Sequence, residues 1–84
     1  MIGRMRRMYS HLFVNGELEG TIHITCKDKM YVLNPDDKDL IVTGIFISSY
    51  FLMITEKHRC GSPMFETIIP ISNVLSIMTE VSGE

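Results

Sequence analysis

The sequence predicts a mainly β fold, a small and strongly bent antiparallel barrel preceded by a short basic helix or arm. Three observations carry that prediction. The run Leu40–Thr55, LIVTGIFISSYFLMIT, holds no charge and is rich in β-branched, aromatic and long apolar residues, which suit a pleated, packed surface. Asn15-Gly16 stands between short apolar segments and marks a hairpin, because both residue types tolerate positive φ. Polar and turn-forming clusters at Lys27-Asp28-Lys29, Asn34-Pro35-Asp36-Asp37 and Glu56–Met64 cut the remaining apolar sequence into short runs.

With 84 residues and a formal charge of −2, the chain is read as one domain over 1–84. It comprises a basic helix or arm at 1–12, a barrel at 13–78 and a flexible tail at 79–84. A chain this small buries only about 60% of the surface its unfolded form exposes, so it gains from disulfides, metals or self-association. Cys26 and Cys60 show no paired spacing, unlike the dense framework of a small secreted domain, and are expected to be reduced, buried thiols. They do not combine with His11, His23 or His58 in the close pairs that zinc sites use. Neither a metal nor a cofactor is therefore expected, and self-association is left as the extra source of stability.

The start MIGRMRRMYSHLF is basic, but no apolar stretch of signal-peptide length follows. The uncharged run is shorter than the ~20 residues that cross a bilayer. A cytoplasmic protein with no membrane span is the expectation.

Met1, Met5, Met8 and Leu12 recur at three- and four-residue steps, which a short amphipathic helix would place on one side. The alternative is an arm whose Arg4, Arg6 and Arg7 are solvated. Leu18–Cys26 reads as a strand with Ile22 and Ile24 on one face and Thr21, His23 and Thr25 on the other, and Gly20 suggests a bulge or bend within it. Met30–Leu33 is a second strand, stopped by Asn34-Pro35-Asp36-Asp37. One straight strand over Leu40–Thr55 would run about 50 Å, too long for so small a domain. It must bend or break, and Gly44 and Ser48-Ser49 are the places where it can.

Simple alternation puts Ile41, Ile45, Ile47, Phe51 and Met53 on one face and Leu40, Val42, Phe46, Tyr50, Leu52 and Ile54 on the other. Both faces are apolar, whereas a lone antiparallel sheet has one polar face. A second cover, the helix or another copy, is implied. Glu56–Met64 reads as an exposed loop and Phe65–Ile69 as the next strand, which Pro70 ends or confines to an edge. Ser72-Asn73 allows a tight turn into a last strand, Val74–Met78.

This order of elements resembles the Sm-like family, an SH3-like fold with a short helix and a bent five-stranded barrel. Two registers compete. In one, LFVNGELEGTIHITCKDKMYVLN is similar to the first Sm motif, with Gly20 as its glycine, Asp28 near its acidic position and LIVTGIFI as the second motif. In the other, Gly44 is the motif glycine, Phe51–Ile54 follow as a strand, and IIPISNVLSI resembles the second motif. The first register has two extra residues between the glycine and Asp28. The second has Ser48-Ser49-Tyr50 where the acidic residue belongs. Thr43-Gly44 and Ile69-Pro70 stand where the family carries its Arg-Gly or Lys-His nucleotide-contacting pair. The resemblance implies a homo-oligomeric ring in which the last strand of one copy pairs with the strand before it in the next, with Phe65, Ile69, Val74, Leu75 and Ile77 at the interface. It also implies single-stranded RNA as a ligand, held by stacking and phosphate contacts.

The candidate RNA-binding residues are the basic clusters Arg4, Arg6, Arg7 and Lys57, His58, Arg59, together with His23 between two threonines. Against them stands the acidic charge of the chain, since nucleic-acid-binding domains are usually basic. The aspartates at 28, 36, 37 and 39 lack the alternating oxygen ligands of a calcium loop and read as turn residues. Cys60 as a nucleophile would need a base and a group to orient it, and His58, two residues away, would point in a similar direction along a strand; no phosphate loop or nucleophile elbow appears. The expected protein is not an enzyme. It is an RNA-binding Sm-like oligomer or, alternatively, a structural or protein-interaction module of the same shape without nucleic acid.

Overall fold

Two antiparallel sheets and one small hairpin make up the fold, in a computed structural model that describes residues 5–80. In chain order these are β1 (Arg6–Arg7), a 3-10 turn (Ser10–Leu12), β2 (Phe13–Val14), β3 (Glu17–Leu18), β4 (Thr21–Cys26), β5 (Met30–Leu33), β6 (Leu40–Ile47), β7 (Phe51–His58), β8 (Met64–Pro70), a second 3-10 turn (Ile71–Asn73) and β9 (Val74–Glu80). One sheet runs β1-β6-β7-β8, the other β5-β4-β9, and β2-β3 forms the hairpin. Asn15 and Gly16 supply it with φ of 52° and 79°, as the sequence predicts.

The mainly β class is as expected, but the strands do not close into a barrel among the described residues. Asn34–Asp39 separates β5 from β6, and Pro35 interrupts any ladder there, so no continuous strand carries hydrogen bonding from one sheet to the other. The N-terminal helix is also absent among the described residues, and Met1–Arg4 lie outside them. Arg6 and Arg7 instead pair with Ile47 and Phe46, and the Met8 amide donates to the Ile45 carbonyl at 2.8 Å. The unpaired edge of β6 gives these amides partners that a solvated helix turn would otherwise have to supply, and Tyr9 at φ 54° stops helical continuation. The apolar spacing still has a purpose, because Leu12 is buried and Met8 packs against the core.

The long uncharged run breaks at both expected places. Ser48 closes the β6–β7 turn: its amide donates to the Phe51 carbonyl at 2.9 Å, and its hydroxyl accepts from the amides of Tyr50 (3.1 Å) and Phe51 (3.2 Å). At Gly44 the β6–β7 register shifts. A Cβ there would stand 2.7 Å from Phe46 Cε2 and 3.0 Å from Thr55 Oγ1, so any larger residue would have to displace one of these side chains. Both breaks reset the alternation. Val42, Ile45, Leu52 and Ile54 are all buried, while Phe46, Phe51 and Met53 are only half-buried. That corrects the simple parity, which put Ile45 with Met53 and Val42 with Phe46.

Further differences are smaller. Glu19-Gly20 breaks Leu18–Cys26 into β3 and β4, and a Cβ on Gly20 would lie 3.0 Å from the Glu80 carbonyl oxygen. Strand β7 extends to His58, which shortens the connection to β8, and β9 extends to Glu80, so Thr79 and Glu80 belong to a strand and not to the tail. The turn at Ser72-Asn73 is part of a 3-10 turn that docks through the Ile71 amide on the Tyr50 carbonyl (2.9 Å). The core lies between the sheets, where Ile22 and Ile24 of β4 meet Ile45, Leu52, Ile54 and Ile69 of the other sheet. No helix among the described residues is long and apolar enough to cross a membrane.

Candidate functional site

The basic residues singled out from the sequence do not converge. Arg6 and Arg7 flank Ile47 and Phe46 at one end of β6, whereas Lys57 and His58 pair with Ile41 and Leu40 at the other. At ~3.4 Å per residue the two groups are about 20 Å apart along the strand. His23 lies on the other sheet between Val32 and Met78, with Nε2 3.4 Å from Glu80 Oε1. Arg4 lies outside the described residues.

Two of these arginines are committed to the fold. Arg7 Nη2 donates to the Thr43 carbonyl at 2.8 Å. Its guanidinium carbon lies 5.2 Å from the Phe13 ring centroid and 5.6 Å from that of Phe46, within cation–π range of both. It clasps the hairpin and the arm to the bulge of β6. Arg59 performs the same task at the opposite end, donating from Nε to the Asp37 carbonyl (2.8 Å) and from Nη2 to the Pro35 carbonyl (3.2 Å). The Asp37 carboxylate accepts from the amides of Asp39 and Leu40, which lowers its pKa. Asp28 is lowered chiefly by the Asn73 side-chain amide, which donates to it at 3.0 Å. These acids are turn anchors, as read from the sequence. Arg6 is exposed and lines a shallow open cavity with Ile47, Ser48 and Ser49.

The residues expected at an interface divide by position. β8 and β9 are each the last strand of their sheet, so each leaves one row of backbone amides and carbonyls without a strand partner among the described residues. Phe65 and Leu75 are exposed at 42% and 62%. Ile69 is buried in the chain's own core at 1%, and Val74 and Ile77 pack against that core, so their side chains serve the fold. Met64, Ile68 and Met78, which the sequence reading did not single out, are exposed apolar side chains on the same two strands, at 69%, 56% and 60%. The signal was available in alternation: Met64 and Ile68 have the parity opposite to Ile69.

Both thiols are free, as expected, but only one of them is buried. Cys26 is buried, and burial pushes its thiol pKa up. Cys60 is exposed, on the turn after β7. Its Sγ stands 3.3 Å from His58 Nδ1 and 3.1 Å from the Ser62 carbonyl oxygen. Two residues apart on a straight strand their side chains would share a face without this contact; the turn folds one onto the other. No third potential metal ligand joins them among the described residues. Compared with family models, curated proteins and solved structures, the chain matches none of them.

Proposed function

We propose that this chain is a non-enzymatic, self-associating β module of Sm-like layout, in which the free edge of β8 in one copy pairs with the free edge of β9 in the next. The observation that carries this reading is the pair of open edges. Both strands are seven residues long, and exposed Met64, Phe65 and Ile68 on one and Leu75 and Met78 on the other accompany them. Pairing of unlike edges generates a ring where the rotation between copies closes. The pairing of β4 with both β5 and β9, beside the β6-β7-β8 meander, supports the Sm-like layout. Protein contact is the favoured role, because Arg7 and Arg59 are engaged by backbone carbonyls and the basic residues are dispersed. Exposed Arg6 beside its cavity is the observation that favours single-stranded RNA binding as the second reading.

Light scattering at about micromolar concentration, where specific homo-oligomers persist, tests the first reading. A mass that is a multiple of 9.6 kDa is expected, and Ile68→Lys should return it to the monomer, since charge on an edge strand opposes pairing. A strict monomer in the unaltered chain overturns the proposal. A salt-dependent shift of labelled single-stranded RNA, lost in Arg6→Ala, would establish the RNA reading in place of a pure protein-contact role.

A further inference from the structure

We propose that Cys60 is a stoichiometric thiol–disulfide exchange site, modified by small disulfides of the glutathione type, with His58 as the base that takes its proton. The proposal does not depend on whether the chain self-associates. It rests on how the β7–β8 turn is built. The His58 amide donates to the Pro63 carbonyl (3.1 Å) and the Gly61 amide to the His58 carbonyl (2.8 Å), closing a tight loop. Gly61 holds φ 107°, which a residue with a side chain rarely adopts. Next to Cys60, the Arg59 amide donates to the Asp39 carbonyl (2.9 Å) while its guanidinium clasps Asp37 and Pro35. The thiol is thus exposed on a fastened turn, with an imidazole nitrogen 3.3 Å away.

A nucleophile and a base within hydrogen-bond reach form the arrangement that activates a thiol, and the thiolate is the species that attacks disulfides. The Ser62 carbonyl, 3.1 Å from Sγ, accepts the thiol hydrogen at rest; rotation about Cβ–Sγ directs it to His58 Nδ1. In the exchange, Cys60 Sγ gives its proton to Nδ1 and attacks one sulfur of the small disulfide. The Cys60–sulfur bond forms, the original S–S bond breaks, and the departing thiolate takes the proton from His58. Cys60 is oxidised to a mixed disulfide and one sulfur of the small disulfide is reduced to a free thiol. A second small thiol reverses the step. Cys26 acts as the internal control, since it is buried in the core and should not react while the chain is folded.

The test uses the full chain and two probes, dithionitrobenzoate for rates and oxidised glutathione for intact mass. In the folded chain one thiol should react, at least about tenfold faster than the same thiol in urea, where the His58 contact is gone. Mass mapping should place the glutathione adduct on Cys60, and Cys60→Ser should abolish it. His58→Ala should lower the rate to the unfolded level, and added imidazole should restore it, which a purely structural role would not allow. Unreactive Cys26 in that variant certifies that the fold is intact; if it reacts, the folded-against-urea comparison in the unaltered chain decides. A folded-state rate no higher than in urea, an unchanged rate in His58→Ala, or no rescue by imidazole overturns the proposal.

Discussion

Strands β7 and β8 are neighbours of similar apolar content, FLMITEKH against MFETIIP, yet their fates differ. β7 is hydrogen-bonded on both sides, and Leu52 and Ile54 are 0% and 1% exposed. Among the described residues β8 is bonded to a strand on one side only, and of its apolar residues only Ile69 is buried. Position in the sheet, more than composition, decides which methyl groups leave water. The largest expected effect follows from this contrast. Leu52→Ala should destabilise the fold by about 2–5 kcal/mol through lost transfer energy and a residual cavity. Within a single copy, Ile68→Ala should change it by no more than about 0.5 kcal/mol. Urea denaturation of both variants measures the gap. The Ile68 effect should grow with protein concentration as another copy covers β8, because association stabilises by mass action; an effect that stays flat with concentration speaks against that pairing.

The second expected effect concerns how β7 receives its register. The bulge at Gly44 lets Val42 and Ile45 both face the core against β7, and it leaves no room for a side chain. Gly44→Ala should cost about 1–3 kcal/mol as Phe46 or the Thr55 hydroxyl moves aside. The Phe46 ring is also one of the two against Arg7, so the strain should reach the N-terminal arm. Faster amide exchange at Met8, whose hydrogen bond to Ile45 ties that arm to β6, would register it. A neutral Gly44→Ala would mean that the bulge does not constrain the register.

Much of this was legible in the residues. Asn15-Gly16, Ser48 and Pro70 act through backbone geometry that is local to them, so the hairpin, a break and a strand end could be placed before any tertiary contact was known; Gly20 and Gly44 marked breaks too, although the close approaches made there involve the distant Glu80 and Thr55. What was not legible depended on distant partners. Met5–Leu12 has helical spacing, but the open edge of β6 decides its conformation. Ile69 and Ile68 are the same residue type, and only the sheet order separates core from surface. The basic clusters looked alike as sequence, and it took the positions of Thr43, Asp37 and Pro35 to show that Arg7 and Arg59 are fasteners. The Cys60–His58 contact was hidden for a related reason, because strand alternation cannot describe a turn.

The smallest effect lies where β7 and β8 differ in the way they treat charge. Glu56 of β7 pairs with Phe65 of β8, and its pKa is raised first by burial and then by the nearby Asp37 carboxylate. A carboxyl raised on folding favours the fold most when protonated. Its contribution is full below the unfolded pKa and is lost as pH rises through the folded one. Asp37, whose pKa is lowered by its amide donors, has the opposite sign: its contribution is present above the unfolded pKa and is lost as pH falls through the folded one. Glu56→Gln should therefore raise the melting temperature at neutral pH, by an amount equivalent to about a few tenths of a kcal/mol given solvent screening of a half-exposed group. The gain should vanish on acidification below the ordinary glutamate range. Asp37→Asn should lower the neutral-pH melting temperature, with its deficit shrinking in acid. Melting curves of both variants across the acidic range check the pair of signs. If the two variants shift in the same direction, Glu56 does not carry the burial penalty that its place beside the half-covered edge of β8 imposes.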